Sequence, residues 1–326
     1  TLGVVVAFVL IAWFYHTGSM TLGLAFLVYY YTQLIVQPID ALAEQLDDFQ
    51  KASAGFARVT DLFQVTSQLT DGPGAIFPEQ ALSIEFEHVS FGYGEEDMVI
   101  KDLTFKIEPG GVLGLLGRTG SGKTTVTRLL LRLYDPASGA IRLGGHDLRT
   151  ARLEDLRDMV GMVTQNVQLF QASIRDNLTL FDSTISDERI MEALNTLGLL
   201  PWLKRLPDGL DTMLAAGGGG LSAGEAQLLA FARVFLKNPR LVILDEASSR
   251  LDPVTENLLE QAVDRLLKGR TGIIIAHRLS TVKRADTVMI LDDGQIREYG
   301  PREQLVGDSS SRFSQLLQTA HEEVLS

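Results

Sequence analysis

Residues 112–124 read VLGLLGRTGSGKT, and no other stretch narrows the choice of fold as far. Val112 to Leu116 is an unbroken apolar run of strand length, the pattern of a strand buried on both faces. Gly117-Arg118-Thr119-Gly120-Ser121-Gly122-Lys123-Thr124 follows at once and fits G-x-x-x-x-G-K-[ST]. Thr125 to Leu133 then reads as a helix. A glycine-rich turn from a buried strand into a helix lets backbone N–H groups curl around phosphate oxygens. Lys123 would reach the β- and γ-phosphates, and the Thr124 hydroxyl would bind Mg²⁺. A bare glycine turn with a solvated lysine is the simpler account, but it leaves the flanking strand and helix as coincidence.

Beyond about residue 80, short apolar runs, glycine turns and helical patterns alternate, as in an α/β domain with a parallel sheet. Leu241 to Leu244 is a second apolar run, ending in Asp245 and Glu246. Ligands of parallel sheets gather at the carboxyl ends of the strands. Asp245 is therefore placed to hold Mg²⁺ through water, and Glu246 to polarise an attacking water. Ile273-Ile274-Ile275-Ala276-His277 repeats the pattern, with His277 at a strand's carboxyl end, within reach of a γ-phosphate. Asp252 before Pro253 is explained structurally as an N-cap followed by proline at the first helical position. Gln165, read alone after Met159 to Thr164, is an ordinary surface glutamine.

The N-terminal end has a different character. Thr1 to Ile39 contains no Asp, Glu, Lys or Arg. A membrane-spanning helix needs about 20 apolar residues. Leu22 to Ile39 reads as one span and Leu2 to Tyr15 as a truncated one, with a polar turn between them. Trp13, Tyr15 and the tyrosines at 29–31 suit an interface or cavity. A buried hairpin of a soluble protein is the competing reading. After Pro38, where a kink is expected, Leu42, Leu46, Phe49, Ser53, Phe56, Thr60 and Phe63 follow a 4-3 spacing that marks one face of a continuing helix. Thr70-Asp71-Gly72-Pro73-Gly74 marks a linker. The expected division is 1–69 membrane part, 70–81 linker and 82–320 soluble domain. The first residue is threonine with no charged region before the apolar start, which reads as a fragment rather than a signal peptide. Net charge is −12, which argues against nucleic acid as a partner. The absence of cysteine excludes disulfides and thiolate chemistry.

One stretch has no evident purpose within its own neighbourhood. Ala215 to Gln227 reads AAGGGGLSAGEAQ, four consecutive glycines before a serine and a helix start. So costly a run in backbone freedom suits close approach to an anion at a helix N-terminus. A flexible lead-in to the helix would account for two of the four.

In this order the motifs resemble the ATP-binding cassette (ABC) family, specifically an exporter-type half-transporter. Phe91-Gly92-Tyr93 resembles the aromatic loop that stacks on adenine, Gln165 the glutamine loop that contacts Mg²⁺, and Leu221-Ser222-Ala223-Gly224-Glu225 the signature LSGGQ. Ser248-Ser249-Arg250-Leu251-Asp252 resembles the D-loop and His277 the switch histidine. The resemblance implies a P-loop nucleotide-binding domain with an antiparallel β subdomain and a helical subdomain, preceded by two transmembrane helices. It implies ATP and Mg²⁺ as ligands, held by Tyr93, Gly117 to Thr125, Thr124, Gln165 and Asp245. Glu246, His277, Lys123 and Gln165 would carry catalysis. It implies a second half-transporter whose ATP is met by Ser222 and Gly224, with Asp252 beside it. The setting would be the plasma membrane, with the nucleotide-binding domain cytoplasmic and an unnamed substrate crossing the bilayer.

The departures are Ala223 for a signature glycine, Glu225 for glutamine, Ala216 where exporters often carry glutamate, and Arg250 for a small D-loop residue. They point towards an asymmetric heterodimer, while homodimer and heterodimer both stay open. A non-hydrolysing regulatory half is opposed by Glu246. A soluble ABC-type ATPase is opposed by the charge-free N-terminus.

Overall fold

The computed structural model describes residues 2–325 apart from 68, 95–96, 216–218, 246–252 and 277–280. The chain divides into two compact units, Thr1–Gln68 and Leu69–Ser326. The first is a pair of helices, Leu2–His16 and Leu22–Gln64. Thr21 starts the longer one by accepting a hydrogen bond from the Leu24 N–H. That helix runs through Pro38 without a break, because proline forfeits one backbone hydrogen bond and the turns on either side continue the ladder. It is long and apolar enough to cross a membrane by length and composition, with Leu22, Phe26 and Ile35 exposed. Phe8 and Tyr29 join the two helices, ring centroids 5.2 Å apart.

The second unit is built on two sheets. The strands in chain order are β1 (Ile84–Gly92), β2 (Met98–Ile107), β3 (Val112–Leu116), β4 (Ser138–Leu143), β5 (His146–Asp147), β6 (Val160–Val163), β7 (Leu241–Asp245), β8 (Thr271–Ile275), β9 (Thr287–Asp292) and β10 (Gln295–Pro301). One sheet is antiparallel, in the order β2-β1-β4-β5. The other runs β10-β9-β3-β8-β7-β6, parallel from β9 to β6 with β10 antiparallel at its edge. This is the α/β class expected from the strand-loop-helix motif.

The parallel sheet explains its own sequence. Side chains alternate faces along a strand, and here both faces are buried. Leu113 and Leu115 of β3, with Ile243 of β7 and Ile273 of β8, pack into a core shared with Phe86 and Phe105 of the antiparallel sheet. Val112 and Leu116, with Val242, Leu244 and Ile274, pack on the other side with Leu228, Phe231 and Trp202 of a helical layer. Unbroken apolar runs are what burial on two faces requires. Each fully buried Leu or Ile contributes about 1.5–3 kcal/mol, so the sheet is the rigid frame on which the loops at its edge are mounted.

The helical layer comprises Ile174–Thr179, Asp187–Thr196, Leu200–Leu203 and the long helix Ala223–Lys237. Residues 71–75, read from the sequence as a linker, dock on this unit. Asp71 accepts from the Leu153 N–H at 2.8 Å, and the N–H groups of Gly72, Gly74 and Ala75 bond carbonyls of Thr150 and Ala151.

Candidate functional site

The parallel register sets the candidate groups in a row. Leu115 of β3 pairs with Ile275 of β8, Ile275 with Asp245 of β7, and Leu244 with Val163 of β6. The phosphate loop therefore leaves the sheet at Gly117, and Gln165 leaves two residues beyond Val163, on the same carboxyl edge. Glu246 follows Asp245 directly, and His277 lies two residues after Ile275. Glu246, His277, Asp252, the rest of the D-loop segment and Ala216 to Gly218 lie outside the described residues.

Within the loop, Lys123 is the first residue of the helix Lys123–Leu130 and is buried, its Nζ donating to the carbonyls of Gly117 at 2.6 Å and Arg118 at 2.9 Å. The chain thus curls around its own cation, leaving N–H groups at the helix start to face outward, where a helix favours anions. Two glycines are obligatory for this path. A Cβ on Gly117 would meet the Leu291 carbonyl at 2.3 Å and Ser121 Oγ at 2.5 Å. Gly122, the N-cap, sits at φ +106, and a Cβ there would meet Ile100 at 2.7 Å. Ser121 Oγ is buried with no hydrogen-bond partner among the described residues, an orphaned polar atom of the kind that a bound ligand satisfies. Thr124 and Gln165 are exposed and Asp245 is half-buried. Thr124, at the start of the helix after the loop, and Gln165 and Asp245, at the sheet edge, carry the oxygen atoms that a hard divalent cation such as Mg²⁺ prefers.

Tyr93 lies just past β1, half-exposed, in edge-on contact with Phe91 and Tyr134. Its hydroxyl lies 3.2 Å from Thr125 Oγ1 and accepts from Arg128 Nη1 at 3.0 Å. The fold thus ties the aromatic residue to the helix that follows the phosphate loop. Thr125, a candidate ligand from sequence, is buried with its hydroxyl turned to Tyr93.

Ser222 and Gly224 lie across the helical layer. Ser222 is exposed and caps the helix Ala223–Lys237, its Oγ accepting from the Glu225 N–H at 3.2 Å. The Glu225 carboxylate reaches back to the Ser222 N–H at 2.8 Å, completing a reciprocal cap. Gly224 is buried within the first turn. Gly219 bridges to Ala215, and Gly220 has φ +104, so these two glycines form a turn into the helix.

Four residues of this region carry contacts that no sequence motif announced: Arg128, Trp202, Asn177 and Arg233. Arg233, on the helix that Ser222 caps, donates to the carbonyls of Gln168 and Asn177 and to Asn177 Oδ1. Asn177 is fully buried and holds Phe170 through both the N–H and the carbonyl of that residue. The segment following Gln165 is therefore pinned to the helix behind Ser222.

A family model described as ABC transporter matches residues 100–249. The chain is 39% identical over 290 residues to the uncharacterized ABC transporter ATP-binding protein YfiC of Bacillus subtilis, covering 89% of this chain and 48% of that protein. It is 38% identical over 285 residues to the alpha-hemolysin translocation ATP-binding protein HlyB of Escherichia coli O157:H7, covering 87% of this chain and 40% of that protein. The chain thus spans less than half the length of these relatives. A solved bacterial Atm1-family ABC exporter with ATP bound superposes with TM-score 0.74 at 30% identity, covering 93% of this chain and 53% of the other.

Proposed function

Since the chain belongs to the ABC transporter family, exporter type, we propose that it supplies the ATP-hydrolysing half of a membrane exporter. The observation that carries this reading is the phosphate loop curled on the buried Lys123, at the sheet edge that Asp245 and Gln165 also leave. The relatives named for translocation and the exporter with ATP bound support it.

In this reading Tyr93 stacks on the adenine, while Gly117 to Thr125 wrap the phosphates with backbone N–H groups and the Ser121 hydroxyl. Lys123 exchanges one of its carbonyl partners for phosphate oxygen. Thr124, Asp245 and Gln165 would hold Mg²⁺, which would supply charge neutralisation to the phosphates. Glu246 orients water for in-line attack, and His277 donates to the γ-phosphate. The helices Leu2–His16 and Leu22–Gln64 belong to the membrane part, with the second unit in the cytoplasm. ATP joins two such domains head to tail, so that Ser222 of one chain meets the nucleotide held by the other.

Complementation tests the trans arrangement. In full-length protein that forms homodimers, Lys123→Ala and Ser222→Arg each inactivate the ATPase alone. Mixed dimers carry both lesions at one site and neither at the other, so activity partly returns. If the partner is an unlike chain, the same two lesions are placed across the pair. Verified mixed dimers without recovery would overturn the arrangement in which one intact site turns over.

A further inference from the structure

The Glu225 carboxylate is held from two sides. One oxygen accepts from the Trp202 indole N–H at 2.9 Å, the other from the Ser222 backbone N–H at 2.8 Å. Trp202 is buried, in the short helix Leu200–Leu203 within the core of the helical layer. A buried indole N–H needs an acceptor, and Glu225 is the one it has. From this geometry we propose that Glu225 is the positioning residue for Ser222, and that an acid is required at 225 because Trp202 occupies one of its two oxygens.

The argument rests on donors and acceptors. A carboxylate accepts at both oxygens, whereas a glutamine side chain accepts at one oxygen and only donates at its nitrogen. With glutamine at 225, either the Trp202 N–H or the Ser222 N–H would face another donor. The cap would then loosen or the indole would lose its partner inside the core. Ser222 is the residue that suffers. Its Oγ accepts from the Glu225 N–H, which leaves the single hydroxyl proton to point away from the helix. Because the proposal depends on Ser222 meeting a nucleotide, it deepens the functional reading above. It also changes the meaning of one departure from LSGGQ: Glu225 answers a demand made 23 positions earlier in the chain and faces inward rather than towards phosphate.

The test is a pair of substitutions in the full-length protein, assembled with its partner. Glu225→Gln restores the consensus residue yet should lower ATP turnover about tenfold, the usual cost of a lost bond to a charged group. Adding Trp202→Phe removes the competing donor, so that the glutamine oxygen is free for the Ser222 N–H. The double variant should recover to within about threefold of wild type, the remainder being the lost indole packing. Amide exchange across Ser222 to Ala226 should quicken in Glu225→Gln and slow again in the double variant. Glu225→Gln with wild-type exchange and wild-type turnover overturns the proposal, as does a Glu225→Gln defect that Trp202→Phe leaves uncorrected. Faster exchange with unchanged turnover would establish the Trp202–Glu225 lock yet refute the reading that Ser222 meets ATP, so the two failures are distinguishable. Trp202→Phe alone keeps the carboxylate on Ser222 and should retain most of the activity; a loss as large as that in Glu225→Gln also counts against the proposal.

Discussion

The Arg128 guanidinium donates to the Tyr93 hydroxyl at 3.0 Å and lies 5.7 Å from the centroid of the Tyr93 ring. Arg128 belongs to the helix that opens with Lys123, so one short element carries both the cation of the phosphate loop and the tether of the aromatic residue. The candidate base platform and phosphate cradle are thus set at a fixed separation.

Removing the platform should weaken nucleotide binding and spare the chemical step. Tyr93→Ala is expected to cost about 1–3 kcal/mol of ATP affinity, the range for a base stacked on an aromatic face. Arg128→Ala leaves the ring in place but lets it turn, and should cost about 0.5–1.5 kcal/mol, the range for ordering one side chain on binding. Equilibrium titration with a fluorescent ATP analogue measures both. Unchanged affinity in Tyr93→Ala would assign Tyr93 to packing against Phe91 and Tyr134 alone.

Glu246→Gln should keep ATP binding and reduce turnover by about 10²–10⁴-fold, the range for general-base catalysis. It removes the carboxylate that orients water and leaves every phosphate contact in place. Steady-state hydrolysis beside nucleotide titration makes the distinction. More than half of wild-type turnover would remove Glu246 from the mechanism.

Gly122→Ala should damage folding and binding together. The φ of +106 disfavours any side chain, and the new methyl would sit 2.7 Å from Ile100 Cδ1. Backbone strain of this kind costs about 1–3 kcal/mol, read as a lowered Tm along with loss of ATP binding. A variant with wild-type Tm and affinity would show that the loop has another accessible path.

Acid should erase part of the stability of the antiparallel sheet. Burial pushes the Asp147 carboxyl up, but hydrogen bonds from the Arg149 side chain and N–H outweigh it and hold the group below its ordinary value. A depressed folded-state value gives stability that is present above the unfolded value, about 3.9 for Asp, and lost as pH falls through the folded one. Asp147→Asn should therefore melt lower than wild type at pH 7, with the two curves converging below about pH 4. A gap that stays constant across that window would mean that the carboxylate charge is irrelevant.

The sequence disclosed what is repeated along the chain and concealed what is joined across it. Val112 to Leu116 is legible as a strand because both faces are buried, and β3 has those bounds. The helix after the phosphate loop was expected from Thr125 to Leu133 but spans Lys123–Leu130. Gly122 in a left-handed conformation lets it start earlier, and Arg132, with φ +47, ends its path sooner. The long N-terminal helix was expected to run to a break at Thr70, yet it stops at Gln64, where Val65 turns extended. The tethers of the site were invisible for a different reason. Tyr93 to Arg128 and Trp202 to Glu225 are side-chain contacts between elements, and no periodicity records a partner on another element. Residues 71–75 looked like a linker because glycine, proline and aspartate favour turns, and the same residues also suit docking through backbone groups.

Arg233 and Asn177 have a thermodynamic consequence. One bond from the Arg233 guanidinium to the Gln168 carbonyl and two to Asn177, which in turn holds Phe170, tie the strand-exit segment to the helix behind Ser222. Whatever displaces that segment must work against the same bonds that resist displacement of the helix. Linkage is symmetric for such a coupling. Were the proposed nucleotide contacts at Ser222 to shift that helix, the Gln168 segment would be biased with it, and a shift of the segment would act back on Ser222 by the same factor.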